Sequence, residues 1–210
     1  MISEQPARPL RRDAARNHQR VLDAARQALA EHGTDATIEQ IAGLAGVGVG
    51  TVYRRFPTKE ALVDALLTQI MDELLAAADT EFARGDGSGL ERFLFTLGRS
   101  LAGHRAYADL LVGHDRAESG ADKLRRRISD LTEQACTHGL LAPGIGLGDV
   151  MTAIWALRGV IETSGGATST GWQRFLDLHL AALRDPSWHS AHPAITVRQL
   201  NRINSNSGER

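Results

Sequence analysis

Several things are scarce in this chain. Cys136 is the single cysteine, so no internal disulfide can form, which points to a reducing cytosol. No charge sign dominates: 24 Lys and Arg stand against 25 Asp and Glu, for a formal net charge of −1. A surface that grips polyanions everywhere is thereby excluded, and any nucleic-acid face must be local. The longest stretch free of charged residues, Gln134 to Gly148, is shorter than the ~20 residues of a membrane helix, and Pro143 and several glycines break it. Met1 to Arg12 lacks the apolar core of a secretory signal. No repeat of fixed period and no low-complexity block occurs. Strict alternation of apolar and polar residues is also scarce, which argues against strands.

Catalytic signatures are missing too. There is no Glu-x-x-His pair for a di-iron bundle, no G-x-S-x-G elbow and no Walker loop. GVGVGT and GIGLGD lack the G-x-G-x-x-G spacing and follow no strand, so a dinucleotide site fails. His104 and His114 have no clear third ligand, and His189 and His192 are equally weak as a metal pair. The expectation is a chain that is not an enzyme and holds neither cofactor nor metal.

What is present, in 210 residues that are 42% hydrophobic, suffices for one large domain or a small one beside a medium one. Apolar residues recur at three- and four-residue spacing, so the fold class is all-α. Helix one is expected from about Asp13 to His32, with Val21, Leu22, Ala25, Ala28 and Leu29 as its buried stripe and Gly33 as its stop. Thr37-Ile38-Glu39-Gln40 reads as a capping box that opens a second helix, whose apolar face is Ile38, Ile41, Ala42 and Ala45. Gly46 supplies the positive φ of a tight turn. A short third helix then sets Val49, Val52, Tyr53 and Phe56 on one face and Gly50, Thr51, Arg54 and Arg55 on the other. Pro57 ends it, and Thr58 caps a fourth helix with Lys59 in its first turn.

Two short helices joined by a glycine turn, the second showing Thr and two Arg, suit a helix-turn-helix. An arginine fork can donate twice to guanine O6 and N7, and the Thr51 methyl can touch thymine. Gly50 lets backbone approach the groove. Helix starts at Thr37 and Lys59 favour phosphate. Five arginines fall between Arg8 and Arg20, and the N-terminal arm from Arg8 to Arg16 is a candidate for the minor groove or the backbone.

The stretch TIEQIAGLAGVGVGTVYRRFPTKEALVDALL resembles the N-terminal domain of the TetR family of transcriptional regulators, in its A-x-x-A-G-V turn, T-[LV]-Y-x-x-F and K-x-x-L entry to helix four. The resemblance spans about Asp13 to Leu67. It implies operator contacts at Val49, Gly50, Thr51, Tyr53, Arg54, Arg55 and Lys59, with Thr37 near a phosphate. It also implies a cytoplasmic one-component repressor that binds double-stranded operator DNA as a homodimer, is released by a small-molecule effector and has no membrane partner. Residues 1–60 would be the DNA-binding domain (with an arm over about 1–12), 61–186 a helical ligand-binding and dimerisation body, and 187–210 a flexible tail.

Within that body, further helices are expected at about Leu90 to Gly103, His104 to Glu118, Ala121 to Gly139, Asp149 to Ser164 and Gly171 to Arg184. The family's last two helices usually pair with their symmetry mates, an isologous contact. Trp172, Phe175, Leu176, His179 and Leu183 form one stripe, and Ile154, Arg158, Ile161 and Glu162 a partly polar seam, which makes them the candidate dimer interface. Phe95, His104, Tyr107, Leu111, Cys136, Met151 and Trp155 are the candidate lining of an effector pocket between the middle helices. The competing reading is a helical protein–protein interaction module without DNA binding, for which a mobility-shift assay would show no retarded band.

Overall fold

The computed structural model describes residues 8–103, 115–164, 170–187 and 190–207. Those residues form helices and connections, with no strand among them. In chain order the helices are α1 (Arg8–His32), α2 (Ile38–Ala45), α3 (Val49–Arg55), α4 (Lys59–Ala83), α5 (Gly89–Gly103), α6 (Asp115–Thr137), α7 (Leu147–Ser164), α8 (Gly171–Arg184) and α9 (Val197–Ser207), with a 3-10 turn at Gly33–Asp35. None of the described helices is long and apolar enough to cross a membrane.

The chain divides into two compact units, Met1–Leu67 and Thr68–Arg210. The division falls inside α4, a few residues beyond the expected boundary at 60, because the first turns of α4 bury Leu62, Val63 and Leu66 along with the N-terminal helices. In the first unit α1 packs on α2 and α2 on α3. Val21, Leu22, Ala25, Ala28 and Leu29 are all buried, as are Ile38, Ile41, Ala42 and Ala45. Helix α1 begins at Arg8 rather than near Asp13, so arginines assigned to an arm at Arg8, Arg11 and Arg12 are helical. Residues 1–7 of that arm lie outside the described residues.

In the second unit α5 packs against α6, α7 and α8, and α7 against α6, α8 and α9. Phe93, Leu94 and Leu97 of α5 join Leu131, Val150, Leu157, Leu176 and Leu180 in its core. The expected helix at His104 to Glu118 falls mostly on residues 104–114, outside the described residues. The segment from 187 onward, expected as a frayed tail, contains α9. Thr196 and Gln199 cap it reciprocally, at 2.8 and 3.3 Å, and Leu200 is fully buried on it. A Cβ at Gly148 would overlap the Ile195 carbonyl oxygen at 2.0 Å, so the bare glycine of α7 is what lets this segment lie against it.

Candidate nucleic-acid interface

The turn between α2 and α3 is set by backbone chemistry. The Thr37 hydroxyl accepts from the Gln40 amide at 3.2 Å, and Gln40 Oε1 accepts from the Thr37 amide at 2.8 Å. The capping box is complete, so the Thr37 N–H is already engaged. The amides of Ile38 and Glu39, which have no intrahelical partner at this position, are the donors left for an anion. Gly46 adopts φ 62° and its N–H donates to the carbonyls of Ala42 and Gly43. The guanidinium of Arg20 covers this turn from α1, since a Cβ on Gly46 would lie 2.7 Å from one of its terminal nitrogens.

Helix α3 is pinned by Val52 and by Phe56 at its end, both buried. Gly50, Thr51, Arg54 and Arg55 are exposed, and Val49 is half-buried. Tyr53 was expected on the apolar face; it is 45% exposed, whereas Val52 and Phe56 are buried. A Cβ built on Gly50 meets nothing within 4 Å, so packing within the chain does not require glycine there. Lys59 is half-buried and its Nζ donates to the Thr34 carbonyl, which ties the start of α4 to the connection before α2. An ammonium has three donors, so two remain for phosphate oxygens.

One residue of α1 that sequence reading did not select, His18, stands beside this face. His18 stacks on Phe56, with ring centroids 5.3 Å apart and planes at 25°. Its Nδ1 accepts a hydrogen bond from Arg55 Nε at 3.2 Å. Burial, and then the nearby Arg55 charge, hold the imidazole below the ordinary histidine pKa. A neutral ring with a free Nδ1 lone pair is the form this hydrogen bond needs. No sequence signal joins the two residues, which are 37 positions apart.

In the second unit the expected sites are redistributed. Trp172 is only 6% exposed: its ring lies over Gly98 of α5, where a Cβ would stand 2.4 Å from it. Leu176, Leu183 and Ile161 are buried as well. Leu183 packs with Ala142 and Ile145, and its carbonyl accepts from the Ala142 amide at 2.8 Å. These four residues are packed within the chain's own core. An amphipathic stripe shows that a face is buried, and here α5, α7 and the connection between α6 and α7 bury it. Left towards solvent are Leu178, 57% exposed, and the half-buried Phe175 and His179, stacked at 5.5 Å. On α7, Ile154, Trp155 and Arg158 are half-buried and Glu162 is exposed, and Arg158 Nε pairs with the Glu162 carboxylate one turn on. His179 Nε2 is buried with no hydrogen-bond partner among the described residues, and burial, opposed by the Asp149 charge, lowers its pKa.

Of the pocket candidates, His104, Tyr107 and Leu111 lie outside the described residues. Phe95 is half-buried with its ring 6.3 Å from that of Trp172, and Met151 is buried on α7. Cys136 is exposed in the last turn of α6, its thiol near the Ile145 carbonyl at 3.5 Å, with its pKa raised by burial and by Glu133. A protonated thiol in that setting is a poor nucleophile. Among the described residues no three His, Cys, Asp or Glu side chains converge to hold a metal ion.

A family model for bacterial regulatory proteins of the tetR family matches residues 21–66, which span the turn and both short helices. A TetR transcription regulatory protein of Mycobacterium vanbaalenii is similar at 30% identity and a TM-score of 0.67, over 84% of this chain and 100% of that one. A TetR transcriptional regulator of Streptomyces coelicolor is similar at 27% identity and a TM-score of 0.66, over 81% of this chain and 99% of that one. The TetR-like regulator LfrR of Mycobacterium smegmatis, solved in complex with proflavine, shares the fold at 22% identity and a TM-score of 0.56, over 84% of this chain and 98% of that one.

Proposed function

The chain belongs to the TetR family of transcriptional regulators, and from that premise we propose that it acts in the cytoplasm as a homodimeric repressor. Each N-terminal unit would set α3 in a major groove, the two half-sites lying about one turn apart, roughly 34–36 Å. The observation that carries this reading is the pairing on α3 of buried Val52 and Phe56 with exposed Thr51, Arg54 and Arg55. Buried anchors fix the helix, and the exposed groups carry the chemistry that reads base edges. Tyr53, Lys59 and the Thr37 helix start are the phosphate-side contacts, Val49 and Gly50 the close approach. Gly50 offers no side chain for readout, so specificity falls to Thr51, Arg54 and Arg55.

A mobility-shift titration with the DNA upstream of the gene tests this. Arg54→Ala or Arg55→Ala is expected to cost about 1–3 kcal/mol where that arginine is bidentate to guanine. No retarded band at any sequence would remove the proposal in favour of a helical protein–protein interaction module. For the dimer, the exposed faces of α7 and α8 around Leu178, Phe175, His179, Arg158 and Glu162 are the seam this reading requires. Leu178→Lys should then lower the mass measured by light scattering to that of one chain, with the helical signal unchanged.

The effector would be a small molecule with apolar surface taken up in the C-terminal unit, where Phe95, Met151 and Trp155 are the described candidates; proflavine in LfrR is a ligand of that kind for that protein. Ligand and operator would favour different states of the dimer, with α4, which runs through both units, as the connecting element. Each would then weaken the other's binding by the same factor.

A further inference from the structure

Arg55 can present its guanidinium in several ways, and one contact selects among them. The group has an edge formed by Nε with one terminal nitrogen and an end formed by the two terminal nitrogens. In this structure Nε donates to His18 Nδ1 at 3.2 Å. Occupying Nε removes the side edge from recognition and leaves the two-nitrogen end for a partner. The acceptor is itself fixed, because the imidazole stacks on Phe56, a residue 4% exposed that ends α3 and belongs to the core of the unit. The line of contact runs from core to ring to guanidinium.

We propose that His18 is a positioning residue for operator recognition: it locks the Arg55 guanidinium so that its two terminal nitrogens, rather than its Nε edge, face the DNA. The inference rests on the reading that α3 binds operator DNA, and adds to it a residue of α1 that need not touch the duplex. Without the lock Arg55 must lose side-chain freedom on binding, which costs affinity and blurs its choice of base.

The experiment uses the full chain and a duplex that the wild type selects from a randomised library, together with all single-base-pair variants of that duplex. Arg55→Ala first identifies the base pair at which discrimination depends on Arg55. His18→Phe keeps a ring on Phe56 and removes the acceptor, whereas His18→Asn keeps an acceptor near Nδ1 and gives up most of the stack. His18→Phe is expected to reduce discrimination at that base pair by about two- to tenfold, with other positions unchanged and no effect in the Arg55→Ala background. His18→Asn should retain the discrimination even where its melting temperature drops. Uniform weakening at all positions, or the same loss in both backgrounds, would overturn the inference and mark His18 as structural. An Arg55→Ala variant with wild-type discrimination at every base pair would instead overturn the assignment of Arg55 to the bases, and selection of no duplex the operator reading itself.

Discussion

Gly50→Ala separates stability from function by sign. The glycine lies in the first turn of α3, exposed, with no positive φ, and a Cβ built there meets nothing within 4 Å. The folded protein therefore accepts the methyl without strain, while the unfolded chain loses conformational freedom. Such an exchange stabilises by about 0.4–1 kcal/mol, and the first-turn position favours the lower half of that range. For a chain of this size that is a rise in melting temperature of about 1–4 °C. If Gly50 lets backbone come close to the groove, the same methyl enters a closed contact in the complex. Overpacking of that kind costs about 1–3 kcal/mol, which is about five- to 150-fold in Kd. Calorimetry and fluorescence-anisotropy titration on one preparation read both quantities. A variant that is more stable and binds equally well would refute the close approach. A variant that is less stable would refute the open environment described for Gly50.

Gly98→Ala should destabilise by about 1–3 kcal/mol, since its Cβ would stand 2.4 Å from the Trp172 ring; a urea midpoint equal to wild type would mean the ring does not lie over that glycine. Trp172→Ala should cost about 3–5 kcal/mol in the same assay, the signature of a core aromatic rather than of an interface residue. At Gly46, with φ 62°, alanine is expected to cost about 1–2 kcal/mol from backbone strain, because the Arg20 terminus it meets can swing aside. Burial holds His179 below the ordinary histidine pKa, so folded chains resist a proton that unfolded chains take. Its contribution is fully present above the unfolded value and is lost as pH falls through the folded one. His179→Gln should flatten stability against pH over that window, and parallel wild-type and variant profiles would contradict it.

The N-terminal unit was largely legible because its determinants are local. A capping box acts over three residues, a left-handed glycine acts on its own backbone, and an apolar stripe repeats within a helix. Thr37 with Gln40, Gly46, and the stripes of α1 and α2 accordingly stand where their spacing puts them. The body was less legible. The stripe of α8 was plain in Trp172, Leu176 and Leu183, yet periodicity carries no address for the surface that covers it. Helix α9 has a Thr196–Gln199 capping signal that could have been read, but among its described residues Leu200 is the one large side chain buried, too little for a period to show.

The sequence alone thus determined helix, turn and the exposed face of α3, since each depends on neighbours within a few positions. The tertiary structure decided which surfaces cover the stripe of α8. It also decided that His18, 37 positions from Arg55, holds that guanidinium. Both outcomes depend on which helices lie side by side, and that is a property of the packed chain which no short window of residues contains.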